Sequence, residues 1–152
     1  MGMKKYQIIY ADPPWDYGPP RNIIRKDGKR SSFGYGAAGH YPTMKTEDIC
    51  KLPVKELADK DCGLFIWTTS HHLFETEKVI KAWGFQYCTL GFVWIKYNMN
   101  TQTIKKGMGY YTRANPELCL FAKKGRMADK VVRKDISSVV MYPIEEHSKK
   151  PQ

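Results

Sequence analysis

The chain has 152 residues, 42% of them hydrophobic, and its 25 Lys and Arg against 15 Asp and Glu give a net charge of +10. That length falls within the usual ~100–200 residues of one domain and supplies enough apolar residues for a packed core, so a single domain over 1–152 is expected and a disordered or fibrous chain is excluded. No apolar run approaches the ~18–20 residues needed to span a bilayer, and the start Met1-Gly2-Met3-Lys4-Lys5-Tyr6 lacks a secretory apolar segment, so no membrane role and a cytoplasmic location are expected.

In chain order, Tyr6-Gln7-Ile8-Ile9-Tyr10-Ala11 reads as a buried strand, and Asp12-Pro13-Pro14-Trp15 follows it directly. Two readings of that tetrapeptide compete. Asp and Pro favour turns and Trp is often packing, so it can simply close a strand. Alternatively, it places a carboxylate, rigid carbonyls and a π-face at the carboxyl edge of a sheet, where open α/β folds bind ligands. Those groups suit a planar base with an exocyclic NH₂. Asp12 accepts one amino hydrogen, the Pro13 carbonyl accepts the other, and Trp15 with a nearby Tyr stacks on the ring. No strong base is needed, because holding both hydrogens favours pyramidalisation and aims the amine lone pair at an electrophilic methyl group.

Residues 16–40 carry five glycines, two prolines and five basic residues, and are expected to form a long, mobile basic loop. Thr46 is placed to cap a short helix with Glu47 and Asp48 in its first turn, and 54–59 offers a second helical stretch. Residues 63–68 read as a buried strand, and Ser70 as the cap of a helix over 71–83 that Gly84 ends, with Leu73, Ile80 and Trp83 on one face. Strands are expected at 86–95 and 117–122, with a polar loop over 96–115 between them. Lys123-Lys124-Gly125-Arg126 reads as a basic turn, 129–141 as one or two weak strands, and 143–152 as an irregular polar tail. Alternating strands and helices without repeats imply an α/β fold with a three-layer sandwich. The four cysteines, Cys50, Cys62, Cys88 and Cys119, have neither metal-ligand nor disulfide-framework spacing and are read as reduced core residues. His71-His72 is read as solvated, since neighbours at i and i+1 diverge on a helix. No metal is required. The clustered positive charge points to a polyanionic partner.

Tyr10-Ala-Asp-Pro-Pro-Trp15, His40-Tyr-Pro-Thr-Met44, Leu64-Phe-Ile-Trp-Thr-Thr69, Trp83-Gly-Phe85, Phe92-Val-Trp-Ile-Lys96, the segment around Arg113 with Glu117, and His147-Ser-Lys-Lys-Pro151 together cover nearly the whole chain. In this order they resemble the adenine-N6 methyltransferases with a D-P-P-W motif, the family of the eukaryotic messenger-RNA methyltransferase and of bacterial and phage DNA adenine methyltransferases. The resemblance implies a Rossmann-like methyltransferase fold with permuted motif order, S-adenosylmethionine as methyl donor, and adenine in nucleic acid as acceptor, DNA being favoured over RNA. It implies catalytic roles for Asp12, Pro13, Pro14 and Trp15, and donor contacts from Asp12, Pro14 and Lys150. Tyr17, His40, Tyr41, Lys96 and Arg113 are implied as substrate contacts. For Lys96 a surface lysine ending a strand is an equal reading, and Arg113 with Glu117 either pairs to shape the site or braces the sheet.

One departure weighs against these matches. The family continues past its Ser-x-Lys-Pro segment with a helix, a strand and a Gly-Asn-containing end that bind the donor, and the sequence stops at Gln152. The last elements of the fold are thus expected to be lacking. Three outcomes follow: a truncated or inactive copy serving as a nucleic-acid-binding subunit, a homo- or hetero-oligomer whose partner completes the donor site, or a shorter pocket that suffices.

Overall fold

A computed structural model of the chain describes residues 4–18, 21–24, 27–28, 30–33, 41–107, 111–145 and 149–151. The elements are β1 (Tyr6–Ala11), β2 (Arg21–Ile24), β3 (Arg30–Phe33), α1 (Thr46–Cys50), α2 (Val54–Leu57), β4 (Ala58–Thr68), a 3₁₀ turn (Ser70–His72), α3 (Leu73–Ala82), β5 (Gln86–Asn98), β6 (Thr103–Ile104), β7 (Glu117–Lys124), a second 3₁₀ turn (Ala128–Lys130) and β8 (Val139–Pro143). Six strands form one mixed sheet in the order β1-β4-β7-β5-β6, with β8 also paired to β5. β1 runs parallel to β4 and β8 parallel to β5, while β7 is antiparallel to both β4 and β5. The architecture is a mixed sheet with helices, of the expected α/β class.

This pairing positions the site. Because β7 opposes its neighbours, its first residue, Glu117, reaches the same sheet edge as the carboxyl ends of β1 and β4; Thr68 pairs with Leu118 and Trp94 with Glu117. Asp12, Thr68, Thr69, Lys96 and Glu117 therefore gather at one edge although they come from four strands.

The two faces of the sheet differ. Alternation along β4 sends Cys62, Leu64 and Ile66 to one side, where they pack with Ile9, Ala11, Leu120 and Ala122 against Ile49, Val79, Ile80 and Trp83 from the helical layer. The Trp83 indole N–H closes this core by donating to the Ile49 carbonyl (2.9 Å). α3 ends where Gly84 takes φ +81°, and Gly84 N–H and Phe85 N–H cap the Lys81 and Ile80 carbonyls. The opposite side carries Trp67, Trp94 and Cys119 with Phe65, Phe92, Tyr142 and Ile144. Among the described residues no helix packs on that side, and β1 leaves Ile8 and Tyr10 exposed there.

Several expectations are corrected. β1 is an edge strand with Ile9 and Ala11 turned toward the core, because among the described residues β4 is its sole neighbour. The segment 16–40 is not wholly loop: its described part contains the antiparallel pair β2–β3, whose polar residues carry too weak an alternation to read as strands. Thr46 does not cap α1, since Lys45 holds the N-cap position without a side-chain bond, and Ser70 begins a 3₁₀ turn rather than capping α3. The helix expected over 54–59 stops at Leu57, and β5 runs on to Asn98, with β6 inside the expected polar loop. Cys62 and Cys119 are buried, but Cys50 is half-buried and Cys88 exposed. Lys123 and Lys124 end β7 rather than forming a turn, and the strand's rise of ~3.3 Å per residue puts them roughly 20 Å or more from Glu117, at the far edge of the sheet. Among the described residues, no helix is long and apolar enough to cross a membrane.

Candidate active site

Two prolines after β1 leave the chain without backbone donors at 13 and 14, and the turn is tied down by acceptors instead. The Pro13 carbonyl accepts from Trp15 N–H (2.9 Å) and the Pro14 carbonyl from Met44 N–H (2.8 Å), which fastens the segment carrying Tyr41 beside Asp12. Trp15 points inward. It is 4% exposed, its indole N–H donates to the Trp67 carbonyl (3.1 Å), and its ring stacks on His72 at 5.3 Å. Trp15 was expected as a stacking wall for a base; its ring packs into the core and lines the floor of the cleft.

His72 was expected to be solvated and is instead 7% exposed, under the turn. Its Nε2 faces the Asp16 carbonyl at 3.0 Å, and since a carbonyl only accepts, Nε2 carries the hydrogen. Nδ1 then accepts from the Thr69 hydroxyl (3.3 Å), whose oxygen accepts from the Tyr17 hydroxyl (3.2 Å). A histidine at the junction between Thr69 and α3 thus fixes the orientation of both the turn and Tyr17. No sequence signal marked it, because the Asp16 carbonyl that it binds lies 56 residues away.

The charges form a chain. Lys150 Nζ lies 3.0 Å from Asp12 Oδ2 and 3.2 Å from Glu117 Oε2, and Glu117 Oε1 holds Lys96 Nζ at 2.5 Å. Two carboxylates and two ammonium groups balance, but not evenly: Glu117 has two lysines, while Asp12 shares one. Burial raises the Asp12 carboxyl above its ordinary range, and the attraction of Lys150 only partly offsets it. Glu117 also feels burial, but Lys150 and Lys96 together hold its carboxyl below the ordinary range. Burial works against the charge on Lys150, yet Glu117 and Asp12 keep its ammonium above the usual value. Lys150 also lies over the Trp67 ring at 5.9 Å, and its side chain is only 11% exposed. Lys150 was expected in a flexible tail; the two carboxylates hold it in the site.

Asp12, Pro13, Trp15, Tyr17, Tyr41, Trp67, Thr68, Thr69, Glu117 and Lys150 line one cleft. A second cleft of about 830 Å³ shares Tyr17, Thr69 and Glu117 and continues past Lys96, Lys105 and Asn115. Of the expected residues, Asp12, Pro13, Trp15, Tyr17, Tyr41 and Lys150 thus meet in one cleft and Lys96 lines the next. Arg113 is exposed, lines neither cleft, and does not take the Glu117 carboxylate, which the two lysines occupy. His40 lies outside the described residues.

Replacing Glu117 by Gln is expected to cost about 3 kcal/mol at neutral pH, since two half-buried lysines lose the carboxylate between them. An acid whose folded pKa is depressed stabilises fully above its ordinary value of 4.5 and loses that contribution as pH falls through the folded value. Denaturant titrations of both proteins should therefore show a gap at neutral pH that closes below pH 4.5. A gap independent of pH would mean that the charge of Glu117 is not what stabilises.

The sequence matches the MT-A70 family over residues 6–152. It is 35% identical over 155 residues to the type II methyltransferase M.MunI of a Mycoplasma species, covering 97% of this chain and 64% of that protein. It is 25% identical over 122 residues to the human N(6)-adenosine-methyltransferase catalytic subunit METTL3, covering 80% of this chain and 18% of that protein. Against the Arabidopsis thaliana N6-adenosine-methyltransferase non-catalytic subunit MTB it is 27% identical over 124 residues, covering 80% of this chain and 14% of that protein. The chain thus spans just under two thirds of the first relative's length and under a fifth of the other two.

Proposed function

Because this chain belongs to the MT-A70 family, we propose that it transfers a methyl group from S-adenosylmethionine to the N6 amino group of adenine in nucleic acid, DNA in preference to RNA. The observation that carries the reading is Asp12, a carboxylate at the carboxyl end of β1, backed by two prolines and held in a cleft with Lys150 and Glu117. The preference for DNA rests on the resemblance to compact bacterial and phage members.

The residues present fit the donor, which joins a cationic sulfonium to a zwitterionic amino-acid part, because the cleft alternates carboxylates with ammonium groups. Asp12, Pro14 and Lys150 would hold it, and when bound it supplies the electrophilic methyl group. The acceptor amine is handled by Asp12 and Pro13. The Pro13 carbonyl uses one lone pair on Trp15 N–H and keeps the other for an amino hydrogen, while Asp12 takes the second hydrogen. Holding both hydrogens on one side draws the amine out of the ring plane and directs its lone pair toward the methyl group. As the amine takes the methyl group that the donor would supply, its proton would leave toward the Asp12 carboxylate or water. Tyr17 and Tyr41, which line the same cleft, provide rings for the extruded base, whose unstacking costs ~a few kcal/mol.

A nucleic-acid-binding subunit without activity is the competing reading, supported by a relative whose name is non-catalytic. Radiolabelled methyl transfer into DNA and RNA oligonucleotides, with and without adenine, separates the two. Incorporation that depends on adenine is expected. Binding of the oligonucleotides with no incorporation would favour the inactive subunit.

A further inference from the structure

Lys105 and Ile144 belong to two clefts at once: the second, described above, and a third of about 560 Å³ lined also by Tyr97, Asn98, Met99 and Asn100. We propose that this third cleft is a subsite for a nucleotide flanking the target adenine, with its base on Tyr97 and its phosphate on Lys105. The proposal rests on the methyltransferase reading above and adds that the acceptor is recognised as a strand rather than as a single nucleoside.

Continuity is the first argument. The first cleft shares Tyr17, Thr69 and Glu117 with the second, and the second shares Lys105 and Ile144 with the third, so a lined path leads from Asp12 to the tip of the β5–β6 hairpin. A target base at Asp12 leaves its backbone along that path.

Charge is the second. Along the path Lys150 and Lys96 are both neutralised by Asp12 and Glu117, whereas Lys105 enters no ion pair among the described residues. Among the described residues its ammonium is thus the charge of the groove that is not met by a carboxylate, and a phosphate is the anion a nucleic-acid strand brings there. Tyr97 adds a π-face of the kind on which bases stack whatever their identity, and Asn98 and Asn100 add amide groups beside it.

Rigidity is the third. Asn115 binds the wall together: its Oδ1 accepts from Lys96 N–H (3.1 Å), and its amide donates to the Lys96 carbonyl (3.0 Å) and to the Lys105 carbonyl. Lys105 N–H donates to the Lys96 carbonyl (2.9 Å) and Gly107 N–H to the Ala114 carbonyl (2.7 Å), an approach so close that a Cβ at 107 would collide with that oxygen. On the other side Ile144 N–H donates to the Tyr97 carbonyl (3.3 Å). Asn98 Oδ1 accepts the N–H groups of Asn100 and Thr101, which shapes the tip. A wall fixed in this way spends little ordering entropy on binding.

The test uses the full chain with Tyr97→Ala, Tyr97→Phe and Lys105→Gln, and measures fluorescence anisotropy of a labelled adenine-containing single-stranded oligonucleotide. It also measures the ratio of kcat/KM for that oligonucleotide to kcat/KM for adenosine. Tyr97→Ala is expected to weaken oligonucleotide binding and to lower the ratio about tenfold, with Tyr97→Phe restoring both. Lys105→Gln, a surface change that spares the fold, is expected to lower the salt dependence of binding by about one counterion. Unchanged binding and an unchanged ratio in all three variants of an active enzyme would overturn the subsite alone. A wild-type chain that binds the oligonucleotide as tightly at high salt as at low would overturn the subsite through its phosphate contact. Failure of the reading beneath it is separate: binding that responds to Tyr97 and Lys105 with no methyl transfer to either acceptor keeps the subsite and removes the enzyme.

Discussion

Asp12→Asn is expected to lower methyl transfer by about 10²–10³-fold or more while oligonucleotide binding stays nearly unchanged. The amide keeps the size of the carboxylate but offers one oxygen and two donors, so an N–H faces the amine hydrogen it should accept. What is lost acts as charge develops on the amine, and removing one such electrostatic partner typically costs that much in rate. Stability should move the other way. Burial raises the Asp12 carboxyl above its ordinary range, so its ionised form is disfavoured in the folded protein and costs stability above the folded pKa. Lys150 keeps Glu117 at 3.2 Å when Asp12 is neutralised. The variant should therefore unfold at or above the wild-type temperature, the trade-off expected of a group placed for chemistry rather than for stability. A thermal scan beside the activity assay checks both halves, and a variant that is active, or inactive only because it is unfolded, would contradict the assignment.

The second large effect concerns Lys150. Lys150→Met keeps an unbranched stem against Trp67 but removes the ammonium that Asp12 and Glu117 share. Glu117 retains Lys96 at 2.5 Å, while Asp12 loses its ion-pair partner among the described residues. With its offsetting attraction gone, the Asp12 carboxyl should titrate higher still, because burial and the repulsion of Glu117 then act unopposed by Lys150. Methyl transfer needs the carboxylate, so activity falls as pH drops through the folded pKa of Asp12. In the variant this acid limb should move to higher pH, with a lower plateau because a donor contact is lost as well. A kcat/KM profile whose acid limb stays in place would show that Lys150 does not tune Asp12.

What could be read in advance followed from local chemistry. The apolar run ending at Ala11 and the prolines after Asp12 fix a strand and a rigid turn within ten residues, and Trp83 with Gly84 marks a helix end through one positive φ. Residues whose role depends on distant partners were read less well. Trp15 looks the same in sequence whether its ring faces a ligand or stacks on His72, and only the packing of α3 under the turn decides it. Lys150 stands in a polar, irregular stretch, and its burial comes from two carboxylates on β1's end and β7's start. Glu117 was seen as a candidate partner of Arg113, but antiparallel pairing puts it opposite Trp94, two residues from Lys96, and so decides between the cations. The basic turn after β7 looked like part of a nucleic-acid grip; the direction of one strand sends it to the far edge of the sheet.

The most direct test of the central claim is nucleoside mass spectrometry of DNA and RNA oligonucleotides after incubation with S-adenosylmethionine and either the wild-type chain or Asp12→Asn. N6-methyladenine formed by the wild type, with DNA ahead of RNA, and absent with the variant is the predicted result. Equal N6-methyladenine from both proteins, or none from a wild-type chain that binds donor and oligonucleotide, would contradict the account.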